Sequence, residues 1–145
     1  MQKIMIVEDD EIIASSIKKH LEKWNYDVFV VNDFENVLED FRNYEPLLIL
    51  LDISLPYYNG YDWCQEIRKE SEVPIIFISS TSENMNIVMA MNMGADDFIN
   101  KPFDLTVLTA KLQAILRRTY SFNKTQNVLN YQSLTLDLLK GVISY

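Results

Sequence analysis

The sequence is poor in several residue types, and each shortage excludes something. Only three glycines occur in 145 residues: Gly60, Gly94 and Gly141. Phosphate-cradling loops of the GxGxxG or GxxxxGK[ST] kind need several at close spacing, so nucleotide binding by those routes is excluded. Cys64 is the single cysteine, which rules out an internal disulfide and a cysteine-built metal site. The opening segment MQKIMIVEDD reaches an acidic run before any long apolar stretch. It reads as neither a secretory signal nor a membrane span, and a cytoplasmic protein is expected. Positive charge is also scarce, with 13 Lys+Arg against 21 Asp+Glu and a net charge of −8. Every acidic residue except Asp137 lies within residues 1–118. That body repels nucleic-acid phosphates and suits divalent cations and basic partners.

What is present is an ordinary globular composition, 48% apolar and 23% charged. Short apolar runs alternate with amphipathic stretches. Strands are predicted at Ile4–Val7, Asp27–Val31, Leu47–Leu51, Pro74–Ile78 and Asp97–Asn100. Helices are predicted over residues 10–23, 33–44, 61–69, 84–92 and 104–118, the fourth closed by Gly94. The run Leu47-Leu48-Ile49-Leu50-Leu51 is apolar at every position, as a strand covered on both faces requires. Five β-α repeats call for an α/β fold with a doubly wound parallel sheet. Residues 119–127 are polar and aperiodic, like a linker. Residues 128–145 read as short antiparallel strands, a C-terminal β extension with a turn at Lys140-Gly141.

In such sheets ligands bind beyond the C-terminal strand ends, where strand order reverses. The predicted strands end in Glu8-Asp9-Asp10, in Asp52, in Ser79-Ser80-Thr81 and in Asn100-Lys101-Pro102. Clustered carboxylates repel unless a cation neutralises them, and an all-oxygen set suits Mg²⁺. Asp52 can then act as a nucleophile toward a phosphoryl group, giving an acyl phosphate. Mg²⁺ and Lys101 would stabilise the transferring oxygens, and Ser79 would hydrogen-bond one of them.

This pattern resembles the receiver domain of two-component response regulators over residues 1–118. The segments that carry it are IVEDD (6–10), LLDISLP (50–56), Gly60, PIIFISS (74–80), GADDF (94–98) and KPF (101–103). The resemblance implies a flavodoxin-like sheet of order 2-1-3-4-5 with five helices. It makes Asp52 the phosphoacceptor for a sensor histidine kinase. Glu8 (through water), Asp9, Asp52 and the Ser54 carbonyl become the Mg²⁺ ligands. Ser79 and Lys101 take the places of the residues that meet the phosphoryl group, Lys101-Pro102 that of a cis peptide, and Phe98 that of the switch aromatic. The protein would be a switch that catalyses its own phosphorylation and dephosphorylation, with no separate substrate.

The GADDF-x₂-KPF segment and Arg117-Arg118 narrow the resemblance to OmpR/PhoB-type regulators. These imply a homodimer through the face made by the fourth helix, fifth strand and fifth helix, with Asp96, Asp97, Lys111 and Arg118 among the contacts. The sequence departs from that type over residues 84–93, which carry no charge and four methionines, so an apolar patch is expected to replace part of the ion-pair network. The same type continues into a winged-helix DNA-binding domain. Residues 128–145 resemble its opening strands, with no recognition helix after them. Control of transcription would therefore lie with an effector of which only the start is present, and specific DNA binding is not expected of this chain.

Two other readings share parts of the pattern. An aspartyl-nucleophile phosphatase needs a second acid two residues beyond Asp52, where this chain has Ser54, and sustained turnover of phosphomonoesters would distinguish it. A flavodoxin-like electron carrier needs a hydroxyl- and glycine-rich loop after the first strand, where this chain has acids, and a yellow colour would betray it. His20, the only histidine, is expected on the surface among lysines, Cys64 within helix packing, and Tyr57-Tyr58 in loop packing beside the active site, with contact to the phosphoryl donor protein as the alternative.

Overall fold

The computed structural model describes residues 2–79, 91, 92 and 94–121. The chain divides into two units, Met1–Leu112 and Gln113–Tyr145, and the sheet lies in the first. The order is β1 (Gln2–Val7), α1 (Glu11–Lys23), β2 (Tyr26–Val30), α2 (Val37–Tyr44), β3 (Leu48–Asp52), α3 (Gly60–Arg68), β4 (Ile75–Ser79), β5 (Asp97–Asn100) and α4 (Leu105–Leu116), with a π-helical turn over Arg117–Ser121. All five strands run parallel in the order β2-β1-β3-β4-β5, as expected. The described residues hold four α-helices where five were predicted. The predicted fourth, with its methionine-rich face, lies outside them except for residues 91 and 92, which are helical. The predicted β extension over 128–145 also lies outside the described residues.

Why β1, β3 and β4 form the centre follows from their composition. Their side chains are buried on both faces, so a continuous apolar run is stabilised where an alternating one would place polar groups in the core. One face, with Met5, Val7, Ile49, Leu51, Ile75 and Phe77, packs against Val37 and Phe41 of α2 and Trp63, Cys64 and Ile67 of α3. The other presents Ile4, Ile6, Leu48, Leu50, Ile76 and Ile78, also fully buried. Cys64 is part of the helix packing, as expected. His20 is half-buried rather than exposed, because it lies three residues from Ile17 and beside the inward stripe of α1.

Local chemistry sets where the helices start. The Asp10 carboxylate accepts the N–H groups of Ile12 and Ile13 at 3.0 and 3.2 Å, so it caps α1 and is not available to the strand-end cluster. The helix predicted from residue 33 begins at Val37. Asp33 instead accepts the Glu35 N–H at 3.1 Å and the Asn36 amide at 2.7 Å, and this local turn competes with helix formation. Asn59 and Asp62 form a capping box at the start of α3. Gly60 follows immediately. Its N–H donates to the Ile53 carbonyl at 2.8 Å, and a Cβ there would collide with the Asp52 carbonyl. The absent side chain is what lets α3 begin against the end of β3.

Candidate functional site

The register of the sheet brings the strand-end groups together. Val7 pairs with Leu51, so Glu8 and Asp52 follow side by side across β1 and β3. This is the point where strand order reverses. Glu8, Asp52 and Ser79 are buried, whereas Asp9 is exposed. Carboxylate oxygens of Glu8, Asp9 and Asp52 all lie within 4.8 Å of one another. Lys101, which precedes Pro102 across a cis peptide bond, places Nζ 2.9 Å from Glu8 Oε1 and 3.3 Å from Asp52 Oδ2. Glu8 Oε2 accepts the Asp10 N–H at 3.0 Å, and Asp52 Oδ1 accepts the Ser54 N–H at 3.2 Å.

The electrostatics follow from this geometry. Burial, and then the adjoining Glu8 carboxyl, push the Asp52 carboxyl up to about 7, against the opposing pull of Lys101 and the Ser54 N–H. Burial alone would lower the Lys101 ammonium. Its closeness to Glu8 and the charge of Asp52 outweigh that and hold it above its ordinary value. One ammonium thus serves two buried carboxyls, with a third carboxylate beside them.

That donor set fits a hard divalent cation. It offers three carboxylates at one sheet edge, with hard oxygen donors throughout. Glu8 Oε1 is buried, with the Lys101 ammonium 2.9 Å away as its ion-pair partner. The exposed Asp9 provides the approach from solvent.

The chain matches the model of the Response regulator receiver domain over residues 4–113. It belongs to that family. It is 47% identical over 145 residues to the sensory transduction protein BceR of Halalkalibacterium halodurans, covering 99% of this chain and 63% of BceR. It is 45% identical over 141 residues to the response regulator protein GraR of Staphylococcus epidermidis, covering 97% of this chain and 63% of GraR. The chain therefore spans less than two thirds of the length of these relatives. Among solved structures, the N-terminal domain of the nisin resistance regulator NsrR is 54% identical, with a TM-score of 0.75 over 81% of this chain and 99% of that one.

Within this receiver domain the remaining candidate residues are distributed unequally. Phe98, half-buried on β5, packs against the α2–α3 side of the core. Asp97 and Lys111 pair within the chain at 3.1 Å. Asp96 Oδ2 accepts from Arg68 Nη2 at 3.2 Å and from the Ile75 N–H at 2.9 Å. Arg118 is exposed on the π-helical turn beyond α4. Tyr57 and Tyr58 are exposed on the loop that follows Ser54. No helix of the described residues is long and apolar enough to cross a membrane.

Sequence reasoning missed Arg68. Besides Asp96, its guanidinium donates to the Gly94 carbonyl from Nε and Nη2, at 3.0 and 2.8 Å, and to the Val73 carbonyl from Nη1 at 2.6 Å. It ties the end of α3 to the approaches of β4 and β5. Its acceptors are mostly backbone carbonyls, which leave no pattern in a sequence. Gly94, with φ of 94°, supplies one of them from the left-handed region.

Proposed function

We propose that this response regulator domain is a phosphorylation-controlled switch of a two-component system, with Asp52 the phosphoacceptor for a sensor histidine kinase. The observation that carries this reading is the buried Asp52 carboxyl, set between Glu8 and Lys101 at the β1/β3 edge. An Asp52 oxygen attacks the phosphorus of a phosphohistidine. The new P–O bond forms as the P–N bond breaks, and the electron pair leaves with the imidazole nitrogen. The product acyl phosphate carries roughly two negative charges at neutral pH.

Lys101 lies close enough to Asp52 to move onto a phosphoryl oxygen, and the Ser79 hydroxyl at the end of β4 supplies a second contact. Glu8, Asp9, Asp52 and the Ser54 carbonyl would hold Mg²⁺, with Glu8 acting through water. Bound there, the ion neutralises charge that builds up on the transferring group. The domain speeds its own phosphorylation and dephosphorylation and turns over no separate substrate. Inward movement of Ser79 frees space that Phe98 fills, and this alters the face that carries Asp97 and Lys111.

That altered face mediates homodimer formation, with Asp96, Asp97, Lys111 and Arg118 contributing charge. Residues 119–145 lead toward an effector through which DNA and transcription are reached. The protein works in the cytoplasm. Sedimentation velocity with Mg²⁺ and beryllofluoride, alongside fluorine NMR of the bound fluoride, tests both halves. The expected result is fluoride bound only when Asp52 is present, together with a shift from monomer to dimer. No binding overturns the phosphoacceptor role, and binding without a change in mass overturns the dimer.

A further inference from the structure

A groove of about 440 Å³ lies beside α3, lined by Glu35, Tyr58, Asp62, Trp63, Gln65 and Glu66. The phosphoacceptor chemistry uses none of these residues. The Tyr58 ring meets Trp63 edge-on at 5.4 Å, so the wall is aromatic, and three carboxylates stand around it. A tight turn puts Tyr58 there. Its N–H donates to the Pro56 carbonyl at 2.8 Å across Tyr57, which sits at φ 68°.

Two capacities of this groove are unspent. Trp63 is only 7% exposed, and its indole N–H has no hydrogen-bond partner among the described residues. Among the described residues the Glu66 carboxylate pairs only with Lys69, at 2.8 Å in an exposed pair that is easily exchanged. Aromatic faces and carboxylates together favour an organic cation, and an indole N–H asks for a carbonyl. A peptide segment with basic side chains supplies both. Asp62 and Glu66, four residues apart on α3, lie about 6 Å apart along the axis. Alternate side chains of an extended peptide are spaced by about 6.6 Å, so the spacing matches a segment better than a lone ion.

We propose that this groove binds an extended segment of a partner protein bearing lysine or arginine at alternate positions. The site stands apart from the phosphoacceptor reading, and failure of one leaves the other untouched. The test is NMR of the ¹⁵N-labelled full chain, whose two tryptophans, Trp24 and Trp63, give separate indole signals assigned with Trp24→Phe. The probe is acetyl-Arg-Gly-Arg-amide, with its citrulline counterpart and acetyl-arginine-amide as controls.

The expected result is a saturable shift of the Trp63 signal, no shift of Trp24, and no response to the citrulline peptide. The Glu35→Gln/Glu66→Gln double variant should weaken binding roughly fivefold, as removal of two exposed charge contacts implies. Asp62 is left intact because it caps α3. Equal shifts of both indoles, no shift, or equal binding of the citrulline peptide overturns the proposal. Equally tight binding of acetyl-arginine-amide assigns the groove to a free cation and also overturns it.

Discussion

Glu8 and Asp52, neighbours across β1 and β3, share a single cation: Lys101 Nζ stands 2.9 Å from the first and 3.3 Å from the second. Both carboxyls are buried, and one ammonium is the positive charge the chain sets against the pair.

Removing that ammonium should be costly. Lys101→Met leaves the two carboxyls facing each other and should lower stability by about 3 kcal/mol without metal. Mg²⁺ at millimolar concentration should restore much of the loss, because it supplies the missing positive charge. Urea unfolding with and without Mg²⁺ measures both values. A variant as stable as the parent in the absence of metal would show that the shared ion pair contributes nothing.

The Asp52 carboxyl also sets a pH dependence. Its folded-state value, about 7, lies above its ordinary value of 3.8. The folded protein therefore keeps a proton that the unfolded chain releases, and stability falls as pH rises between those values. From pH 5 to pH 8 the metal-free protein should lose on the order of 2 kcal/mol. Asp52→Asn should flatten that slope. An equal slope in the variant would place its origin elsewhere.

Arg68 and Asp96 give a third expectation. Arg68→Ala removes the donor held by the Gly94 and Val73 carbonyls and the Asp96 carboxylate, of which the Val73 carbonyl is the less exposed, and should cost roughly 1–2 kcal/mol. Lysine should rescue little, since it lacks the planar fork that reaches several acceptors. Asp96→Ala should likewise lower the melting temperature of the monomer, because the Ile75 N–H loses its acceptor. If Asp96→Ala weakens only dimer formation and leaves the melting temperature unchanged, the Arg68 link is dispensable.

Gly60→Ala tests the close approach of α3 to β3. The added methyl meets the Asp52 carbonyl. Relief requires α3 to move away, at a cost of about 1–3 kcal/mol. Because the displaced backbone belongs to Asp52, the proposed phosphoacceptor, acetyl-phosphate labelling should slow as well. Unchanged stability together with unchanged labelling would contradict the proposed contact.

The sheet and the strand-end cluster were legible because each rests on a local signal. Leu48 to Leu51 are apolar throughout, as a central parallel strand must be, and Asp52 interrupts them at the sheet edge. Only the family resemblance set Glu8 and Asp9 apart from Asp10, since three successive acids look alike until α1 begins at Glu11 and takes Asp10 as its cap. The start of α2 was misplaced because Asp33 ties Glu35 and Asn36 into a turn within an otherwise helical pattern. Arg68 was missed because the groups it holds lie about thirty residues or fewer away along the chain but are mostly backbone oxygens.

In the proposed function, Asp52 accepts a phosphoryl group with the help of a divalent ion. Incubation with acetyl phosphate, followed by intact-protein mass spectrometry and borohydride trapping of the acyl phosphate, tests it most directly. The expected result is one added phosphoryl group that requires Mg²⁺, maps to Asp52 and is absent from Asp52→Asn. Persistent labelling of Asp52→Asn, or equal labelling with the metal chelated, would contradict it.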